Sequence, residues 1–324
     1  YTDRPPWVSG SRGHPMTSRG ERLSQSTGGQ PALRLDNVSK SFGDKAAVRG
    51  LSMEVPAGAV FGLLGPNGAG KSTTIRMALN IYVPDTGTVR IFGQAHGGNV
   101  SNSIGYLPEE RGLYTRMKVG DMLRFMGAIK GVPASEVNTR IGRWLERIEL
   151  PGCEDKKVHE LSKGMQQKVQ FVATVLHDPD LIVLDEPFSG LDPINANLLK
   201  DIIVDLRAQG RAIIFSTHVM EQAERLCDQI CLINSGQKVL EGSVSSIRGR
   251  YGRNAVALAF TGDGAFLQRH PLVKSVNEYN AYLELRLADG ADPQALLAEI
   301  VGRVKVTRFE VLEPSLHDIF IERV

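Results

Sequence analysis

From residue 33 to residue 242, short apolar runs alternate with segments of helical period. Residues 60–64, 181–184 and 212–215 are unbroken apolar runs with β-branched members, bounded by Gly or Asp. Runs this short and this apolar predict strands buried on both faces, as in a largely parallel sheet covered by helices. Residues from about 117 to 176 read as mainly helical, with breaks at Gly131–Pro133 and Pro151–Gly152. Further on the period changes. Leu283, Leu285 and Leu287 alternate with Glu284 and Arg286, which predicts a half-buried strand. Asp292 and Pro293 open a helix with Leu296, Leu297, Ile300 and Val301 on one face. A strand over 305–312 follows, and after Pro314 the pair Ser315 and Asp318 predicts a short capped helix carrying Leu316, Ile319 and Phe320.

The pattern divides the chain into three parts. Residues 1–30, rich in Gly, Ser, Arg, Pro and Thr, are expected to be disordered. They lack the apolar stretch of a signal peptide, and Met16 is a candidate start residue. Residues 31–243 form a large α/β unit whose helical part spans about 115–176. Residues 244–324 form a small α+β unit, joined through a basic, glycine-bearing stretch at 245–253 that reads as a linker. No internal repeat is visible.

Charge and composition remove some function classes. The 38 basic and 36 acidic residues give a net charge of only +2, so nothing argues for a nucleic-acid binder driven by bulk positive charge. No apolar run approaches the roughly 18 residues of a membrane-spanning helix, so any membrane role must be borrowed from a partner. Cys153, Cys227 and Cys231 fit neither a disulfide framework nor a zinc pattern; they read as small buried hydrophobes, compatible with a reducing cytosol.

Residues 65–73 read GPNGAGKST, a full phosphate-loop motif between a predicted strand and a predicted helix. Gly65, Pro66, Asn67, Gly68, Ala69 and Gly70 supply a loop whose backbone N–H groups turn toward a polyphosphate. Lys71 would reach the β and γ phosphates, and Ser72, followed by Thr73, places a hydroxyl where Mg²⁺ would sit. The run 181–186 is an apolar strand ending in Asp185 and Glu186. Asp185 suits Mg²⁺, and Glu186 suits orienting and deprotonating a water. Adjacent strand residues point opposite ways, so the strand must end or bend there, and Pro187 supports an ending. His218 follows another apolar strand; taken alone it reads either as an ordinary surface histidine or as a γ-phosphate contact.

These motifs occur in an order that resembles the ABC ATPase family across residues 33–242. GPNGAGKST is followed by IGYLPEERGLY, LSKGMQQKVQF, LIVLDEPFSGLDP and FSTHVMEQAE. The resemblance implies an α/β phosphate-loop NTPase fold with a helical subdomain, ATP and Mg²⁺ as cofactors, and Mg-dependent ATP hydrolysis. It implies that Ser162, Lys163, Gly164 and Met165 form a signature that meets ATP held by a second ATPase subunit, with a homodimer expected and two different ATPases left open. Asp192 would lie at the dimer seam, Glu186 would be the general base and His218 the γ-phosphate sensor. Phe42 matches the residue that stacks on adenine, and a core aromatic is the other reading. Glu109 stands where relatives carry a metal-side glutamine, with Glu110 as the other alignment; a carboxylate still accepts from metal-bound water but donates nothing. Lys163 and Met165 are the other two departures, and an active ATPase is still expected.

The PEERGLY and LSKGMQQK variants, with the ending PSLHDIF, resemble the ATPases of exporters whose permease is a separate polypeptide, including sodium-efflux pumps. The C-terminal unit then corresponds to that subgroup's accessory domain, with dimer stabilisation or packing favoured over ligand binding. A separately encoded integral-membrane permease is the expected partner, with no nucleic acid. The chain is expected in the cytoplasm, peripheral to the inner face of the membrane. Leu113, Tyr114, Met117, Met122, Phe125 and Met126 are a candidate groove for the permease, with packing of the helical part as the other reading of each. Two rivals remain: a soluble relative acting on ribosomes or DNA, and a regulatory subunit that binds ATP but hardly hydrolyses it.

Overall fold

The computed structural model describes residues 29–95, 101–110, 112–250, 255–279, 281–288, 290–312 and 315–323. The expected disordered tail lies outside the described residues except at its last two positions, as does Pro314. In chain order the larger part holds β1 (Leu33–Phe42), β2 (Lys45–Val55), β3 (Val60–Leu64), α1 (Lys71–Ala78), β4 (Thr86–Ile91), β5 (Gln94–Ala95) and β6 (Ile104–Leu107). The helices α2 (Val119–Ile129), α3 (Ala134–Arg147) and α4 (Lys163–Val175) follow. Then come β7 (Leu181–Asp185), α5 (Pro193–Ala208), β8 (Ala212–Thr217), α6 (Met220–Leu226), β9 (Gln229–Asn234), β10 (Gln237–Ser243) and α7 (Val244–Arg250).

The three apolar runs become β3, β7 and β8, buried along their whole length. They sit at the centre of a sheet ordered β10-β9-β3-β8-β7-β6. Pairing is parallel from β9 to β6, and only the edge hairpin β9–β10 is antiparallel. Parallel neighbours need long crossovers, which explains the helix after each strand. One face packs against α2, α3, α4 and α5, through Met122, Leu145, Phe171 and Leu199. The other packs on α1 and a second, antiparallel sheet ordered β2-β1-β4-β5. That second sheet is not segmented in the sequence reading. β1 pairs with β2 through several register shifts, and Asn37 adopts φ 50, so a strict alternation never develops.

Two expectations change. The presumed linker begins as α7: the Ser243 hydroxyl accepts from Ser246 N at 3.1 Å and Ile247 is buried. A capping serine and one apolar anchor outweigh the glycine that suggested a break. In the candidate groove, Met122 is fully buried core, Leu113 and Met117 pack partly against that core, and Tyr114 and Phe125 stay exposed, edge to face at 5.7 Å.

The C-terminal part comprises β11 (Ala255–Thr261), β12 (Val273–Tyr279), β13 (Tyr282–Leu287), α8 (Pro293–Val301), β14 (Lys305–Leu312) and α9 (Leu316–Arg323). Its sheet, ordered β12-β13-β11-β14, is antiparallel throughout. Leu258, Leu285, Leu287, Leu296 and Ile300 form its core beneath α8. Asp292 caps α8 by accepting from Gln294 N at 2.9 Å, and Ser315 and Asp318 cap α9 reciprocally, as the sequence predicts. The helix α9 leaves that core and packs on α6 and α7.

His177, after α4, is buried with Nε2 3.1 Å from the Ile104 carbonyl and no partner for Nδ1. Burial lowers the ring to about 4 from 6.5. A depressed histidine stabilises the fold while neutral and costs stability once the unfolded chain takes up a proton, so the loss starts as pH falls through 6.5 and ends near 4. This group alone should make the protein about 2 kcal/mol less stable at about pH 5 than at about pH 7.5. Denaturant melts at the two pH values check this, and His177→Gln should remove most of the difference.

Candidate functional site

The parallel register brings four strand ends to one edge of the central sheet. Leu64 of β3 pairs with Thr217 of β8, Asp185 of β7 with Ser216 of β8, and Leu107 of β6 with Leu184 of β7. The phosphate loop, the two carboxylates, His218 and the Glu109 turn all follow these ends. Open parallel sheets bind ligands at this carboxyl edge.

The loop 65–70 leads from β3 into α1. Gly65 adopts φ +152, and a Cβ there would lie 2.2 Å from the Ile233 carbonyl oxygen. Gly70 at φ +106 would bring a Cβ within 2.6 Å of the Ala47 oxygen, so these two glycines are fixed by close backbone approach. Ala69 is buried, Pro66 half-buried and Asn67 and Gly68 exposed, while Ser72 and Thr73 lie half-buried in the first turn of α1. Lys71 is buried and curls over the loop. Its Nζ donates to the Gly65 oxygen at 2.9 Å and the Pro66 oxygen at 3.2 Å.

The strand β7 ends at Asp185, and Glu186 turns away in the left-handed region at φ 49. That conformation costs a non-glycine residue about 1 kcal/mol or more. It resolves the geometry of adjacent acids: the strand does end, and Glu186 leaves the pleat. Glu186 Oε1 lies 3.7 Å from Lys71 Nζ and 2.9 Å from His218 Nδ1. A carboxylate only accepts, so the histidine donates from Nδ1. Asp185 is fully buried; Oδ1 accepts from the Ser216 hydroxyl and Oδ2 has no hydrogen-bond partner. A buried anion with one idle oxygen fits a cation.

Four further side chains support the site without being singled out by the sequence. The Ser216 hydroxyl donates to Asp185 and accepts from Glu186 N at 3.1 Å, tying both acids to β8. Its only signal is a place before Thr217 and His218; the pairing partner is not readable from one strand. Gln170 of α4 donates to the Pro108 and Glu110 oxygens at 3.4 and 3.3 Å, and Gln167 donates to the Pro187 oxygen at 3.2 Å. Burial, followed by the charge of Asp185, holds the Tyr106 phenol above the usual range. Glu109 is exposed, and its charge also acts on Tyr106.

The remaining candidates lie apart. Ser162 caps α4 by accepting from Met165 N at 3.2 Å, with Lys163 exposed and Gly164 half-buried beside it. Met165 packs partly against the core. Asp192 caps α5, accepting from Ile194 N and Asn195 N at 3.0 Å; those bonds, led by Asn195, hold its carboxyl below the usual range. Phe42 is 47% exposed on the antiparallel sheet, edge to face with Tyr82 at 5.2 Å.

Residues 48–189 match the family described as ABC transporter, and residues 242–324 match that described as ATP-binding protein DrrA1-3-like, C-terminal domain. The uncharacterized ABC transporter ATP-binding protein YhaQ of Bacillus subtilis is 44% identical over 292 residues, 90% of this chain and 98% of that protein. The chain belongs to the ABC transporter ATP-binding proteins. The Nod factor export ATP-binding protein I of Rhizobium sp. is 36% identical over 90% of this chain and 96% of its own length. A solved ATP-binding subunit of an ABC transporter superposes with TM-score 0.64 at 30% identity, over 68% of this chain and 93% of that one. The fold is thus the α/β cassette of ABC ATPases, and the chain is an ATP-binding subunit with ATPase activity. Such subunits work with separate membrane permease components, and among the described residues no helix is long and apolar enough to cross a membrane.

Loss of the Ser216 bridge tests this geometry. Ser216→Ala should lower ATP turnover by about 10- to 100-fold, the usual cost of losing an orienting partner. The protein should also lose about 1–3 kcal/mol of stability, because the buried Asp185 carboxylate and the Glu186 amide both lose their partner. Steady-state ATPase assays across a Mg²⁺ titration check it.

Proposed function

We propose that this ABC ATP-binding subunit hydrolyses Mg²⁺-ATP to power an exporter, as one half of a homodimer seated on the inner face of a membrane permease. The observation that carries it is the cluster of Lys71, Glu186 and His218 around one carboxylate oxygen, beside the idle oxygen of Asp185. Lys71 and His218 both contact Glu186. A γ-phosphate offers them a stronger anion, and their transfer to it frees Glu186 to take a proton from the attacking water. Ser72 and Asp185 would hold Mg²⁺, with Glu109 nearby. Held there, Mg²⁺ would neutralise charge on the phosphoryl group. Phe42, exposed and aromatic, would stack on adenine.

In the dimer, Ser162, Lys163, Gly164 and Met165 would face ATP held by the second copy. The exposed N-terminus of α4, with no acid in its first turn, suits an anion. Asp192 would stand at the seam. The division 31–243 for the motor and 244–324 for an accessory unit is part of the same reading. Export rests on the likeness to the Nod factor export ATP-binding protein I of Rhizobium sp.. Tyr114 and Phe125, aromatic and exposed, suit the permease contact.

Glu186→Gln should retain ATP binding and lose turnover by about 10²- to 10⁴-fold, the range expected for a general base. The same variant should accumulate as an ATP-dependent dimer in size-exclusion chromatography. Co-purification with the product of a neighbouring multi-spanning membrane gene should alter wild-type turnover. Activity that responds instead to ribosomes or DNA would overturn the transport reading and leave the ATPase in place.

A further inference from the structure

The helix α6 has seven residues, too short to persist on backbone hydrogen bonds alone, so tertiary packing sets its position. It begins two residues after His218. Thr217 Oγ1 accepts from Val219 N at 3.1 Å and donates to Gln222 Oε1 at 2.9 Å, so hydrogen bonds tie the end of β8 to α6 across His218.

That segment is held from the C-terminal side. Met220 and Ala223 of α6 are buried in one cluster with Leu64, Ile247, Leu316 and Ile319. Leu64 is the last residue before the phosphate loop. Leu316 and Ile319 belong to α9, the final helix of the C-terminal unit, and each is almost fully buried. A polar tie completes the contact. The Glu224 carboxylate of α6 accepts from the backbone N–H of Leu316, one of the donors that the first turn of a helix leaves without an intrahelical partner. The reciprocal Ser315–Asp318 cap stiffens the same turn.

We infer that α9 and Glu224 are a positioning device for His218, through which the C-terminal unit sets how strongly the site distinguishes ATP from ADP. The inference rests on the γ-phosphate role proposed for His218. ADP meets Lys71 and the phosphate loop but has no γ-phosphate for His218 to reach. A shift of α9 should therefore weaken binding of the triphosphate and spare that of the diphosphate. General loss of stability would weaken both.

The experiment titrates full-length protein, in Mg²⁺, with a non-hydrolysable ATP analogue and with ADP. Four variants are compared with wild type: His218→Ala, Glu224→Met, Ile319→Ala and Leu296→Ala. Glu224→Met keeps the length of the side chain, removes the oxygen that accepts from Leu316 N, and guards against a folding failure in Ile319→Ala. Leu296 lies in the separate core of the C-terminal unit, so its variant reports that unit's destabilisation alone. The expected result is a fall in the analogue-to-ADP affinity ratio of about fivefold or more in His218→Ala, Glu224→Met and Ile319→Ala, within the usual range of coupling between sites. Leu296→Ala should keep the wild-type ratio. A lowered ratio in His218→Ala with unchanged ratios in Glu224→Met and Ile319→Ala overturns the inference and leaves the role of His218 standing. An equal fall in Leu296→Ala also overturns it, because destabilisation then explains the effect. An unchanged ratio in His218→Ala removes the proposed role of His218, and the positioning device with it.

Discussion

The register between β7 and β8 is the constraint on which the site depends. Pairing Asp185 with Ser216 lets one hydroxyl hold the Asp185 carboxylate and the Glu186 amide together. The same alignment continues to β3, where Leu64 opposite Thr217 sets the phosphate loop beside His218. A one-residue slip would turn every side chain of the slipped strand to the other face. The unbroken burial of β3, β7 and β8 specifies this register, because helices or the second sheet cover both faces. Core packing and catalytic geometry are here the same requirement.

Electrostatics then explains why this edge tolerates so many ionisable groups. Lys71 is buried but donates to two carbonyls and approaches Glu186, so its charge is compensated. Glu186 accepts from His218 and sits in a strained backbone conformation that moves it off the strand. Asp185 is the exception: buried, held at one oxygen and idle at the other. An arrangement that leaves an anion half satisfied is poor for stability alone and good for binding a cation with its phosphates.

Much of this was legible because the chemistry is local. GPNGAGKST carries its own loop geometry, and an apolar run ending in Asp185 and Glu186 marks its own strand end. The predicted strands at 60–64 and 305–312 coincide with β3 and β14. What stayed hidden depends on neighbours. Ser216 matters only because β8 lies beside β7. Gln167 and Gln170 matter only because α4 passes over two strand-end turns. The antiparallel sheet lacks a clean period because its register shifts, and α7 was masked by a glycine that a serine cap outweighs. Met122 reads equally as groove or as core in the sequence, because a methionine suits both and nothing in one segment says what covers it.

The glutamines of α4 also bear on the signature itself. The N-terminus of this helix is exposed around Ser162 and Lys163, while its next two turns reach back to Pro187, Pro108 and Glu110 of its own chain. Those carbonyls flank Glu186 and Glu109. The helix α4 is therefore tied, through side chains that are nearly fully buried, to the turns carrying the acids of the same subunit. Gln170 Oε1 has no hydrogen-bond partner, so this link keeps one unused acceptor. The proposed contact with a second subunit and the placement of the site's own carboxylates would thus share one helix. This gives a physical route by which dimerisation and hydrolysis would depend on each other without any moving loop.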